Sequence, residues 1–170
     1  PSVQASIWTN LAWAALLEGE RARPLGAKDR LLPSRRGWGD PEGLQRRANA
    51  YYSETEDAAA LANGHLNLAL AAVHRGEPEA AGRRLDAVDR GAASLEVRWW
   101  ARELAARIAL MSGDLPAALS DYRDLVEAQV RLPAERWRIG LGWARALDAA
   151  GRAGDALEAY LDVEGFLEEG

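Results

Sequence analysis

The chain has 170 residues, 48% of them hydrophobic, a formal net charge of −5 and no Cys. That length holds one compact domain or four to five helix pairs. The acidic balance argues against a general nucleic-acid or anionic-membrane binder, and the lack of Cys excludes a disulfide framework, a thiolate metal site and a Cys nucleophile within the chain.

Helical periodicity runs throughout, and no stretch alternates apolar and polar residues long enough to demand a strand. The start, Pro1-Ser-Val-Gln4, has no initiator Met, basic n-region or signal-like apolar run, so we read it as a piece of a longer protein. No apolar run approaches the ~18 residues that span a bilayer, and the expected location is cytoplasmic. The first helix is expected over Gln4–Glu18, with Ile7, Leu11, Ala14 and Leu17 on one stripe and Gly19 ending it. A shorter helix over Ala22–Leu32 tolerates Pro24 in its first turn. Pro33–Pro41 is rich in breakers and reads as a loop. Asp40-Pro41 then caps and opens a helix carrying Leu44, Ala48 and Tyr51.

Ser53-Glu-Thr-Glu56 has capping-box spacing and is expected to start a longer helix that ends near Arg75. Further helices are expected over 78–90, 94–112, 115–131, 134–150 and 153–168. Their short connections require antiparallel neighbours. The 20 Arg against one Lys, Lys28, fit a GC-rich genome better than a binding requirement. Residues 1–90 balance 12 basic against 12 acidic residues, whereas 91–170 carry 9 against 14, so the acidity lies in the second half.

Three stretches share one frame. Gly76, Gly113 and Gly151 lie 37 and 38 residues apart, each with Ala five residues on (Ala81, Ala118, Ala156) and Leu85, Tyr122 or Tyr160 nine on. Seven residues before each glycine stands another alanine, Ala69, Ala106 or Ala144. A period of 20–50 residues marks stacked units, because one helix pair cannot bury its apolar face alone. The expected organisation is a degenerate cap over 1–60 followed by three helix pairs in 61–170, at about 62–91, 94–131 and 134–168.

These positions resemble the tetratricopeptide repeat, whose paired helices meet at small residues in these places. The resemblance covers about residues 62–168 and implies an all-α, right-handed α-solenoid of antiparallel helix pairs. Departures are a period three to four residues long, Val88, Leu125 and Val163 where Ala is usual, and no regular closing Pro apart from Pro133. The later repeats also look like those of bacterial proteins that join such repeats to a caspase-like CHAT peptidase, and like the sensor repeats of signalling ATPases. The function this implies is a non-enzymatic protein- or peptide-binding scaffold, the regulatory part of a larger protein. The alternative is a structural module that restrains or assembles an attached catalytic domain without a ligand of its own.

Individual residues add little chemistry. His65 and His74 lie nine apart, on opposite sides of a helix, and cannot share a metal from one face. Gly37-Trp-Gly39-Asp-Pro-Glu-Gly43 has the glycines of a phosphate loop but neither a preceding strand nor the right spacing. Arg35, Arg36 and Trp38 are a candidate contact patch there. Trp8, Trp13 and Trp143 are expected in the core, while Trp99 and Trp100 point about 100° apart and cannot be buried equally. The first helices of the pairs should present Asn63, Asn67, Trp100, Glu103, Arg107, Arg138 and Arg145 to a groove. Tetratricopeptide repeats that grip a carboxylate use Lys, Asn and Arg at similar positions, so the resemblance suggests an acidic peptide partner. Here Lys is missing, and Gly142 stands where a groove side chain would help. No catalytic arrangement, metal set or cofactor motif is visible.

Overall fold

The structure is a computed structural model that describes residues 5–7, 9–10, 40–89, 91–128 and 136–168. Among the described residues every regular element is α-helical and none is a strand. Residues 5–7 and 9–10 are helical, as expected of the first helix. The expected helix over Ala22–Leu32, the loop from Pro33, the Arg35–Trp38 patch, Trp8 and Trp13 lie outside the described residues. The labelled helices are α1 (Pro41–Glu54), α2 (Ala58–Arg75), α3 (Pro78–Asp86), α4 (Leu95–Met111), α5 (Leu115–Glu127), α6 (Arg136–Ala149) and α7 (Ala153–Glu168). The chain divides into two compact units, 1–101 and 102–170, with the division inside α4.

In the first unit α2 packs against both α1 and α3. Asp40 caps α1 by accepting from the Glu42 N–H at 3.1 Å, with Pro41 in the first turn. The face of α1 that is buried holds Gln45, Ala48, Asn49 and Tyr52, while Leu44 and Tyr51 are only half-buried. The apolar stripe therefore misplaces the buried face by about one residue, because two buried amides belong to it.

The capping box does not form. Ser53 and Glu54 finish α1, Thr55 donates its hydroxyl to the Tyr51 carbonyl at 2.9 Å, and Glu56 turns the chain at φ 56°. Asp57 caps α2 instead, accepting from the Ala60 N–H at 3.0 Å. A short carboxylate one residue before the helix reaches that amide directly, which frees Ser53 to remain helical.

The three frame glycines have one conformation. Gly76, Gly113 and Gly151 stand at φ 75°, 78° and 75°. In each case the glycine N–H bonds to the carbonyl three residues back, and the next N–H bonds to the carbonyl five back. The distances for Gly76-Glu77 are 3.0 and 3.0 Å, for Gly113-Asp114 3.2 and 2.9 Å, and for Gly151-Arg152 2.9 and 2.9 Å. This is a Schellman motif repeated three times, and it needs a left-handed residue that glycine adopts without steric cost.

In the second unit α6 packs against α5 and α7. All six alanines of the frame are buried: Ala69, Ala81, Ala106, Ala118 and Ala144 are 0% exposed and Ala156 2%. Tyr122 and Leu125 are fully enclosed as well. α3 ends at Asp86, earlier than its periodicity suggests, and the Asp89 carboxylate then accepts from Gly91 N–H at 2.8 Å and Ala92 N–H at 3.3 Å. That local Asx turn competes with continued helix. α5 likewise stops at Glu127 rather than 131.

Three substitutions test this account by denaturant unfolding. Ala118→Leu, at a site with no exposed surface, should overpack the helix pair and cost about 1–3 kcal/mol. Gly113→Ala should cost about 1–2 kcal/mol through its left-handed backbone. Gly82→Ala, inside α3 with open space around the added carbon, should instead stabilise by roughly 0.5–1 kcal/mol.

Candidate functional site

Two buried polar clusters decide where the predicted groove residues stand. In the first unit Gln45, 1% exposed, lies among the amides of α1 and α2. Its Nε2 donates to Asn49 Oδ1 at 2.9 Å and to Thr9 Oγ1 at 3.4 Å, and its Oε1 accepts from Asn67 Nδ2 at 2.8 Å. The hydroxyls of Thr9 and Tyr52 share a bond of 3.1 Å. Gly64 makes room for this cluster, since a Cβ there would collide with the Asn49 side chain. Asn67 is 1% exposed and is thus a member of the interior rather than a surface on α2.

Thr9 also opens onto a pocket of about 200 Å³. Asn63, one turn before Asn67, and Trp100 line it, together with Asn10, Ser94 and Glu96; Leu66 and Val97 provide further apolar surface. Asn63 and Trp100 are both half-buried. Trp99 is half-buried too, so the two neighbouring indoles share the burial more evenly than their 100° separation suggests. The Ser94 hydroxyl accepts from Val97 N–H at 3.2 Å and fixes the start of α4 beneath the pocket.

In the second unit two of the remaining predicted residues, Arg107 and Arg138, gather on the carboxylate of a third, Glu103. Glu103 is 3% exposed and Arg138 5%. Arg107 Nε donates to Glu103 Oε1 at 2.7 Å, and an Arg138 terminal nitrogen lies 4.0 Å from Glu103 Oε2. Arg145 stays exposed. Beside this cluster stands Tyr122, whose hydroxyl is buried without a hydrogen bond. Burial first, then the Glu103 charge, pushes its phenol far above the ordinary range. Gly142 is explained here: a Cβ at that position would strike the Tyr122 ring, so the residue lacks a side chain because α6 lies directly on α5.

A further concavity of about 340 Å³ between α2 and α3 was not foreseen from the sequence. Its floor is Leu68, Ala72 and Ala80, and Arg75, Arg83, Arg84 and Glu42 stand around it. Arg75 pairs with Glu42 and, at 2.8 Å, with Glu77, whose carboxyl it holds below the usual range by that hydrogen bond. The adjacent Arg83-Arg84 was the available signal, but periodicity alone did not say that both would border one hollow. His65 is half-buried, with Nδ1 enclosed and lacking a hydrogen bond. Burial, and then the Arg84 guanidinium, lowers its pKa. Among the described residues no group of three or more His, Asp or Glu is placed to hold a metal ion, and no helix is long and apolar enough to cross a membrane.

No family model matches the chain, and neither the curated proteins nor the solved structures include a significant match.

Two measurements check these clusters. Glu103→Ala should cost about 3–5 kcal/mol, because it leaves the Arg138 charge buried without its carboxylate. Glu103→Leu/Arg138→Met should be less damaging than that single change, since no fully buried charge is then stranded and the remaining Arg107 is half-buried and can reach solvent. For His65, a folded pKa below the ordinary value of about 6.5 means that the unfolded chain binds the proton more readily. Stability should therefore fall as pH drops from about 7 to 5, and His65→Gln should flatten that slope in chemical denaturation.

Proposed function

We propose that the chain is a non-enzymatic binding module that receives an extended peptide segment of a partner protein, as part of a larger bacterial, cytoplasmic, regulatory protein. The single observation that carries this reading is the Asn63–Trp100 pocket. A half-buried indole beside carboxamides offers an apolar anchor and groups that can both donate to and accept from a peptide backbone. At about 200 Å³ the pocket suits one side chain of a peptide rather than a whole cofactor. The tetratricopeptide-like solenoid is part of the same proposal, supported by the repeated glycine turn and the buried alanine pairs.

The partner's chemistry follows from where charge is already committed. Arg107 and Arg138 face Glu103, so the cationic character available to an acidic segment is centred on exposed Arg145 and the outer side of Arg107. Glu96 borders the Trp100 pocket, which therefore suits a neutral or apolar side chain rather than a carboxylate.

The test is to isolate the partner by pull-down and measure its binding kinetics. Trp100→Ala should weaken binding at least about tenfold, mainly through the off-rate. Arg145→Ala should mainly slow association and reduce the salt dependence. Parental affinity in both Trp100→Ala and Asn63→Ala, with unchanged thermal unfolding, would exclude this pocket as the site.

A further inference from the structure

The last helix leaves apolar surface uncovered. Leu157 is 60% exposed and Leu161 57%, both on α7. With Gly154 and Gly165 they fall within about 80° of one another at 100° per residue, forming a narrow stripe. A Cβ at either glycine would meet nothing within 4 Å, so both ends of the stripe are open. Carboxylates flank it, with Glu158 and Asp162 on one side and Glu164 on the other. In all, α7 carries five acidic residues (Asp155, Glu158, Asp162, Glu164, Glu168) and no basic one.

Only the Leu157 end of this face has a covered counterpart in the preceding repeat, where Arg123 and Glu127 stand at the frame positions of Leu161 and Gly165 with side chains 58% and 69% exposed. One repeat earlier, Leu119 occupies the frame position of Leu157, and Tyr122 that of Tyr160. Leu119 packs against the cluster of Ala144, Leu147, Ala156 and Ala159, and Tyr122 is 0% exposed beneath Gly142. The helix that lies on α5 is α6, which has three arginines and one aspartate, whereas α5 has three acidic residues and one arginine. A basic helix with a small residue at the crossing thus covers an acidic one. α7 repeats the acidic half of that arrangement with more charge.

We propose that the Gly154–Leu157–Leu161–Gly165 face of α7 is a docking surface for a basic amphipathic helix of a partner protein, chosen by the carboxylates that flank its two exposed leucines. The partner's apolar residues cover the two leucines, and its arginines or lysines meet the flanking carboxylates. A second copy of the chain fits less well, since α7 against α7 would bring five acidic residues on each side together. This surface is separate from the Asn63–Trp100 pocket and does not depend on that assignment.

The experiment uses the full chain and two synthetic helical peptides with the same leucine stripe, one flanked by arginines and one by glutamates, followed by fluorescence anisotropy. The arginine peptide should bind one per chain, and the glutamate peptide should not. Leu157→Ser/Leu161→Ser, which alters only exposed side chains, should weaken binding at least about tenfold. Glu158→Gln/Asp162→Asn should weaken it several-fold and reduce its salt dependence. Trp100→Ala should leave it unchanged, which separates this surface from the pocket. Equal binding of both peptides, or arginine-peptide binding indifferent to the leucine change, would overturn the proposal. So would light scattering that shows a dimer dissolved by Leu157→Ser/Leu161→Ser, since a second copy would then be the occupant.

Discussion

Helices can lie close together only where the residues between them are small, and that constraint organises both units. Alanine at the crossing lets helix axes come to the short end of the usual 8–10 Å. Ala69, Ala81, Ala106, Ala118 and Ala144 have no exposed surface, and Gly142 carries the principle to its limit by admitting the Tyr122 ring. The left-handed glycines complete the device, because each hairpin must reverse within a few residues while its last carbonyls remain bonded. Small crossings and tight turns together decide which side chains are forced inward.

What is forced inward includes polar groups, and their satisfaction is uneven. The first unit answers with an amide cluster in which Gln45 bonds to Asn49, Thr9 and Asn67, while Asn67 Oδ1 is left without a hydrogen bond. The second unit buries a carboxylate among arginines, and breaking that set costs more than replacing it with apolar residues. Such clusters favour one arrangement of helices over alternatives, since a shifted register would strand several buried polar groups. Interior polarity here is a matter of positioning the helices, and it draws Asn67, Glu103 and Arg138 away from the surface.

Charge is arranged along the chain rather than spread over it. The net basic α6 packs on the net acidic α5, and α7 presents carboxylates around exposed leucines. The first unit is different, with Arg75, Arg83 and Arg84 around one hollow and neutral carboxamides around another. Each surface therefore suits a different chemistry.

The sequence by itself determined the all-helical class, most helix positions and the three reversing glycines. These are local properties: periodicity sets the helix, and only glycine enters the left-handed turn freely. It also marked the alanines of the frame, because their spacing repeats. It did not determine which polar residues would find one another. Asp57 took the cap expected of Ser53, since a capping pattern does not say whether the preceding helix will continue through the candidate cap, as α1 does to Glu54. Glu103 gathered Arg107 from its own helix and Arg138 from a distant one, and only the first of these pairings is written in local spacing. The pocket at Trp100 depends on Thr9 and Asn10, more than fifty residues before Asn63 in the chain. Which helix faces arrive opposite each other is a tertiary outcome, and it buried Asn67, Glu103 and Arg138, placed Asn63 and Trp100 at a pocket and left Arg145 exposed.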